Sequence, residues 1–227
     1  RAATGVLLVI DLKKPTRFHF LITRGSWESW LVRGAYILMG FAGLTGLWLF
    51  GGLVESEGLL QVLAAPIAVL AAATAGYTAY LFAQCEGRDL WQTPLLLPIL
   101  AAQAASAGGA VFAVMDLVMD VPEPIAVRWV LLGGVTATAA LVLTELTARG
   151  SRHVELAIWF MTRGGGARSF WGGGVVLGLL LPAALVIVAL ATDSGAWLPA
   201  IAGVASIVGM WFHEDSFVRA GQSVPLS

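Results

Sequence analysis

Six stretches of almost unbroken apolar sequence, each about as long as a bilayer is thick, dominate this chain of 227 residues. They run approximately over residues 30–52, 59–84, 94–118, 125–148, 174–192 and 197–213. A helix rising ~1.5 Å per residue needs about 20 apolar residues to cross the ~30 Å hydrocarbon layer, and the last two stretches only just reach it. None shows the two-residue alternation of a membrane barrel strand. Charged residues make up 12% of the chain, about half of the roughly 25% of a soluble domain. Lipid must therefore solvate much of the surface. The expected fold is all-α: a polytopic transmembrane bundle forming a single integral membrane domain over residues 1–227. Residues 2–10 are apolar but too few to span, and are expected to be the end of a helix (residues 1–11) that begins outside this sequence.

Basic residues sort the loops by side. Lys13, Lys14, Arg17, Arg24, Arg88, Arg149, Arg152, Arg163, Arg168 and Arg219 all fall on one side, here called X. The opposite side, Y, carries Glu55, Glu57, Asp116, Asp120, Glu123 and Asp193, with Arg128 its only basic residue. The positive-inside rule makes X, with the C-terminus, cytoplasmic, and the expected location is a prokaryotic inner membrane.

The chain has one cysteine, Cys85, and three histidines, His19, His153 and His213. That supply cannot build a cysteine-ligated iron–sulfur cluster, and does not suggest a haem held by two facing helical histidines. His213, followed by Glu214 and Asp215, reads as a wet helix end. Ala72/Gly76 and Ala105/Gly109 are small-residue pairs that permit close helix packing, and Pro66, Pro98 and Pro182 are expected inside helices.

Polar groups at membrane depth are costly and stand out as candidates for function. Tyr77, Tyr80 and Gln84 share one helix face by their spacing. Tyr77 would lie about 10 Å from the X end of its helix. Glu145 lies about a turn from the X end of another helix, with Thr138 seven residues earlier on the same face. Arg33 is near the X end of a third. Gln103 fits an interhelical hydrogen bond. The group around Tyr77, Glu145, Arg33 and Tyr80 could serve a quinone head group, whose carbonyls accept hydrogen bonds and then protons. The ordinary alternative is an interfacial tyrosine belt, a snorkelling arginine and an Arg33–Glu145 ion pair.

The stretches IDLKKPTRFHFLIT and SWESWLVRGAYIL, then AGYTAYLFAQCEGRDLWQTPLLLPILAAQAASAGGA, SFWGGGVVLGLLLP and VRAGQSVPLS, resemble in order the NrfD/polysulfide-reductase family of membrane subunits. The resemblance implies an eight-helix subunit without a metal cofactor of its own. It implies exchange of electrons between menaquinone or ubiquinone and a ferredoxin-like iron–sulfur subunit, itself bound to a molybdopterin-type catalytic subunit. Tyr77 would then be the quinone-contacting tyrosine, and Asp11, Lys13, Lys14, Arg17, Arg24, Arg163 and Arg168 would face the iron–sulfur partner. The catalytic centre that converts substrate would lie in other subunits. A secondary transporter or ion channel and a passive membrane anchor are the competing functions. A transporter more often carries charges at its midplane.

Overall fold

A computed structural model describes residues 24–148, 150–192 and 194–225. The expected N-terminal helix end, Asp11, Lys13, Lys14 and Arg17, together with Arg149 and Asp193, lie outside the described residues. The chain divides into two compact units, one ending at Gln84 and the other starting at Cys85.

The first unit is a helical hairpin of α1 (Trp30–Leu53) and α2 (Glu57–Ala83). Gly34 faces Tyr77, Gly40 faces Leu70 and Gly51 faces Leu59, which fixes an antiparallel register. The turn between the helices places Glu55 at a φ of 54°, the left-handed region, so the chain reverses within three residues. Ser29 and Ser56 hold the N-cap positions without a side-chain cap bond. The start of α1 is instead capped by Gln84, just beyond α2. Its Oε1 accepts the Trp30 N–H at 2.9 Å, and its Nε2 donates to the Glu28 carbonyl at 3.2 Å. One amide side chain thereby answers an orphan donor at a helix start. Pro66 lies inside α2, as its position in an apolar run predicts.

The second unit opens with a 3₁₀ turn, Asp89–Gln92, followed by α3 (Leu96–Met115) and α4 (Pro124–Thr147). A short helix, α5 (Arg152–Thr162), precedes α6 (Ser169–Ala191) and α7 (Trp197–Ser223). α6 has π geometry over Ser169–Leu180 and α geometry from Leu181. Its core gathers Ala110, Ala113, Leu131, Val135, Val186 and Ala202. Small residues bring the backbones together. A Cβ on Gly109 would lie 2.7 Å from the Leu131 nitrogen, and one on Gly203 would lie 2.6 Å from the Ala110 carbonyl oxygen. Gly178 and Gly209 meet backbone to backbone. Lipid supplies little hydrophobic drive between helices, so close backbone packing of this kind takes its place.

Among the described residues, five helices, α1–α4 and α6, are long and apolar enough to cross a membrane. Their outward residues are largely apolar, with Leu53 76% and Val62 72% exposed. In a bilayer such side chains face hydrocarbon rather than water. The chain is a multi-pass, all-helical membrane protein.

Two elements differ from the sequence expectation. α7 does not stop at 213 but continues ten residues to Ser223. Its polar end is carried inside the protein, where Ser216, Phe217, Ala220 and Gly221 are buried. The stretch expected to be a polar loop contains α5, which starts at Ser151, whose hydroxyl accepts the Val154 N–H at 3.3 Å. Eleven residues are too few to span, but α5 buries Ala157 and Met161 while exposing Leu156 and Trp159.

Arg128, expected as the lone basic residue of side Y, ties the end of α6 to the following turn. It donates to the carbonyls of Ala189 at 2.9 Å and Gly195 at 3.0 Å. Cations are favoured at helix C-termini, where the last carbonyls lack partners. Arg128→Ala is expected to cost about 1.5–2 kcal/mol, the lower part of the range for hydrogen bonds from a charged donor. A thermal midpoint in lipid unchanged from that of the parent protein would refute this role.

Candidate functional site

In the first unit, three of the four residues singled out as quinone-contacting lie on the facing turns of α1 and α2. The Tyr77 ring is half-buried and lies across Gly34, so closely that a Cβ on Gly34 would overlap its ring carbons. The absence of a side chain at position 34 is what lets the ring occupy that place. One residue away, Arg33 donates from Nε to the Trp27 carbonyl at 2.6 Å. Its guanidinium stands 4.8 Å from the Trp30 ring centroid. Tyr80 stacks on the same Trp30 ring, with centroids 4.3 Å apart and planes inclined by 15°. A cation over an indole and a parallel ring pair are each favourable contacts, and here both anchor on one tryptophan. Trp27 in turn stacks on Tyr36 at 4.9 Å. The first unit therefore presents the Tyr77 phenol over Gly34 and, on the neighbouring turn, the Arg33 guanidinium on a stacked aromatic pair. Sequence reading missed Trp30 as the common platform, although its position three residues before Arg33 would have indicated it.

Glu145 belongs to the second unit and is 3% exposed. Neither of its carboxyl oxygens has a partner at hydrogen-bonding geometry. Thr93, His213 and Glu214 are the groups that act on its charge. Against the expectation of a wet helix end, His213 is only 5% exposed, because α7 carries its polar end into the protein. Its Nδ1 lies 3.3 Å from Gln103 Nε2. Gln103 therefore makes the interhelical bond expected of it, between α3 and α7. Two signals could have marked His213 in advance. Ser206, Gly209, His213 and Ser216 recur at helical spacing on one face, and that face is small and polar rather than charged.

Of the residues expected to meet an iron–sulfur partner, Arg24, Arg163 and Arg168 are exposed. Arg88 is turned inward. It donates from Nη1 to the carbonyls of Gly221 at 2.9 Å and Val224 at 2.6 Å, closing the end of α7. Next to it, Asp89 accepts the Ser151 hydroxyl and lies 3.8 Å from His153, which fastens α5 to the 3₁₀ turn. Among the described residues, no group of three His, Cys, Asp or Glu side chains is placed to hold a metal ion.

A helix bundle with apolar outer faces and a few polar groups inside its membrane-spanning segments is an integral membrane subunit rather than a soluble catalyst. The chain belongs to the NrfD family, described as Polysulphide reductase, NrfD, which it matches over residues 2–225. That family comprises membrane subunits of quinone-linked reductases. No curated protein and no solved structure matches the chain.

Proposed function

We propose that this chain is the quinone-interacting membrane subunit of a respiratory oxidoreductase and exchanges electrons between a membrane quinone and an iron–sulfur partner subunit. A molybdopterin-type subunit would complete the complex. The observation that carries the reading is the Tyr77 phenol, held over Gly34 beside Arg33 and the Trp30–Tyr80 stack in a family of quinone-linked subunits.

A quinone supplies two-electron, two-proton chemistry when bound. What the protein must add is orientation and hydrogen bonding. The Tyr77 hydroxyl can donate to a head-group carbonyl. Arg33 is a permanent cation, and a positive charge near that carbonyl favours the negative charge that builds up on it during reduction. Tyr80 and Trp30 give these groups a stiff backing, so little ordering is needed when a ligand arrives. The exposed Arg24, Arg163 and Arg168 suit a partner with an acidic face, and the excess of basic residues in the X loops favours the cytoplasmic side for that partner.

The test is quinone-dependent turnover of the purified complex. Tyr77→Phe keeps the ring and removes the hydroxyl, and turnover is expected to fall about tenfold or more, a loss of ~1.4 kcal/mol in transition-state stabilisation. Unchanged turnover would remove Tyr77 from the site. Turnover insensitive to every quinone-site inhibitor, combined with loss of membrane attachment of the soluble subunits on removal of this chain, would instead define a passive anchor.

A further inference from the structure

The outer face of the short helix α5 is apolar in its middle and basic at both ends. On the inner face Ala157 and Met161, one turn apart, are buried. His153 and Ala157 line a small cleft together with Gly221 and Val224 at the end of α7, so this face rests on the bundle. Arg152, Leu156, Trp159 and Arg163 recur at intervals of three or four residues and are all exposed. That spacing puts them on one face of a helix. Trp159 is 53% exposed there. The only acid of α5 is Glu155. Among the described residues, the side chains of Arg152, Arg163 and Arg168 have no ion-pair or hydrogen-bond partner.

This face runs on into the lipid-facing side of α6. Trp171, in the first turn of α6, is 46% exposed, and its indole Nε1 donates to the carbonyl of Thr162, the last residue of α5, at 2.9 Å. Beyond it Val176 and Leu180 are exposed at intervals of about one turn, where α6 enters its apolar span. The Arg163 N–H donates to the Trp159 carbonyl at 2.8 Å, which sets the arginine one turn beyond that indole. The Trp159 ring lies against Gly164, where a Cβ would be 3.0 Å from it. Two indoles and a guanidinium are therefore gathered where α5 passes into α6. An acidic protein surface would call only for the arginines. The exposed Leu156, Trp159 and Trp171, continuous with the hydrocarbon-facing residues of α6, call for the edge of a bilayer. Tryptophan is favoured at head-group depth, and an amphipathic helix with a basic polar part lies along the membrane surface.

We propose that α5 lies along the bilayer surface, at the end of the bundle where α4 stops and α6 starts, and that Arg163 holds the phosphate of an anionic phospholipid beside Trp159 and Trp171. Leu156 and the two indoles sit at the boundary of head groups and acyl chains. Arg152 meets the same head-group layer from the other end of the helix, about 16 Å away at ~1.5 Å per residue. A guanidinium suits a phosphate because its planar N–H groups meet two oxygens at once. The site lies wholly within the second unit and does not depend on quinone being bound at Tyr77. An acidic protein partner would ask the same of Arg163, and the experiment separates the two.

Tryptophan quenching by lipids brominated close to the head group tests this on the full chain in phosphatidylcholine vesicles. The chain has nine tryptophans, so the Trp159 signal is the emission lost in Trp159→Phe. Brominated phosphatidylglycerol should half-quench that signal at about a fivefold lower lipid fraction than brominated phosphatidylcholine, the preference expected of one arginine near a bilayer surface. In Arg163→Gln the two titrations should coincide while quenching itself persists. Trp171→Phe isolates the second indole in the same way and carries the test if Trp159→Phe does not fold. Equal half-quenching by the two lipids in the parent protein would overturn the phosphate site. Emission from both indoles that is quenched by aqueous iodide and by neither lipid would put α5 in water, ready for a soluble partner, and overturn the proposal as a whole.

Discussion

Gly209→Val is expected to prevent the second unit from folding, so that little intact protein is recovered from the membrane. Gly209 and Gly178 are in backbone contact, and even a Cβ at position 209 would coincide with the Gly178 backbone. A clash with the far end of a side chain can be relieved by a rotamer change, but a clash with a main chain cannot. α6 and α7 would have to move apart over the stretch where the π segment carries Gly174 and Gly178 against His213 and Gly209. Overpacking in a close-packed interior costs ~1–3 kcal/mol and more when the backbone must shift. Natural proteins hold only about 5–15 kcal/mol in reserve. The yield of monodisperse protein after detergent extraction is the measurement, with Gly172→Ala as the control. A Cβ on Gly172 meets nothing within 4 Å, so that substitution should be tolerated. Normal yield for Gly209→Val would show that the two helices do not pack as described.

Gly34→Ala is expected to lower quinone-dependent turnover about as far as Tyr77→Phe, about tenfold, while the complex still assembles. The added methyl would overlap the Tyr77 ring, which is a side chain and can rotate away. The helices can therefore keep their places, and the phenol loses its position. Gly34 is on this view a positioning residue that acts through Tyr77. A double-mutant cycle separates this from a general packing defect. With Tyr77→Ala in place there is no ring to displace, and adding Gly34→Ala should then change neither turnover nor thermal midpoint. An equal loss from Gly34→Ala in both backgrounds would mean that the glycine matters for something other than Tyr77.

The residues that sequence reading singled out did not all mean the same thing once their neighbours were known. Tyr77, Tyr80 and Arg33 were legible because a phenol or guanidinium inside an apolar run is unusual, and helical spacing shows which of them share a face. Glu145 was legible for the same reason. What could not be read was its company. His213 looks solvated in sequence because Glu214 and Asp215 follow it, whereas α7 is covered by other helices along that face and keeps the imidazole buried. The short helix α5 escaped notice because a span-length filter discards eleven residues, and its charged start resembles a loop.

Span length, side asymmetry and the shortage of charge are properties of residues taken one at a time along the chain, and lipid reads them that way. They are enough to determine that this protein is a helical membrane bundle. Which polar groups meet depends on rotation and depth of helices far apart in sequence. Those are set by where glycines allow close approach, Gly34 under the Tyr77 ring, Gly134 against the Ser106 backbone and Gly178 against that of Gly209. Only the folded packing could therefore decide that Arg33 and Tyr80 share Trp30, and that His213 meets Gln103 inside the bundle.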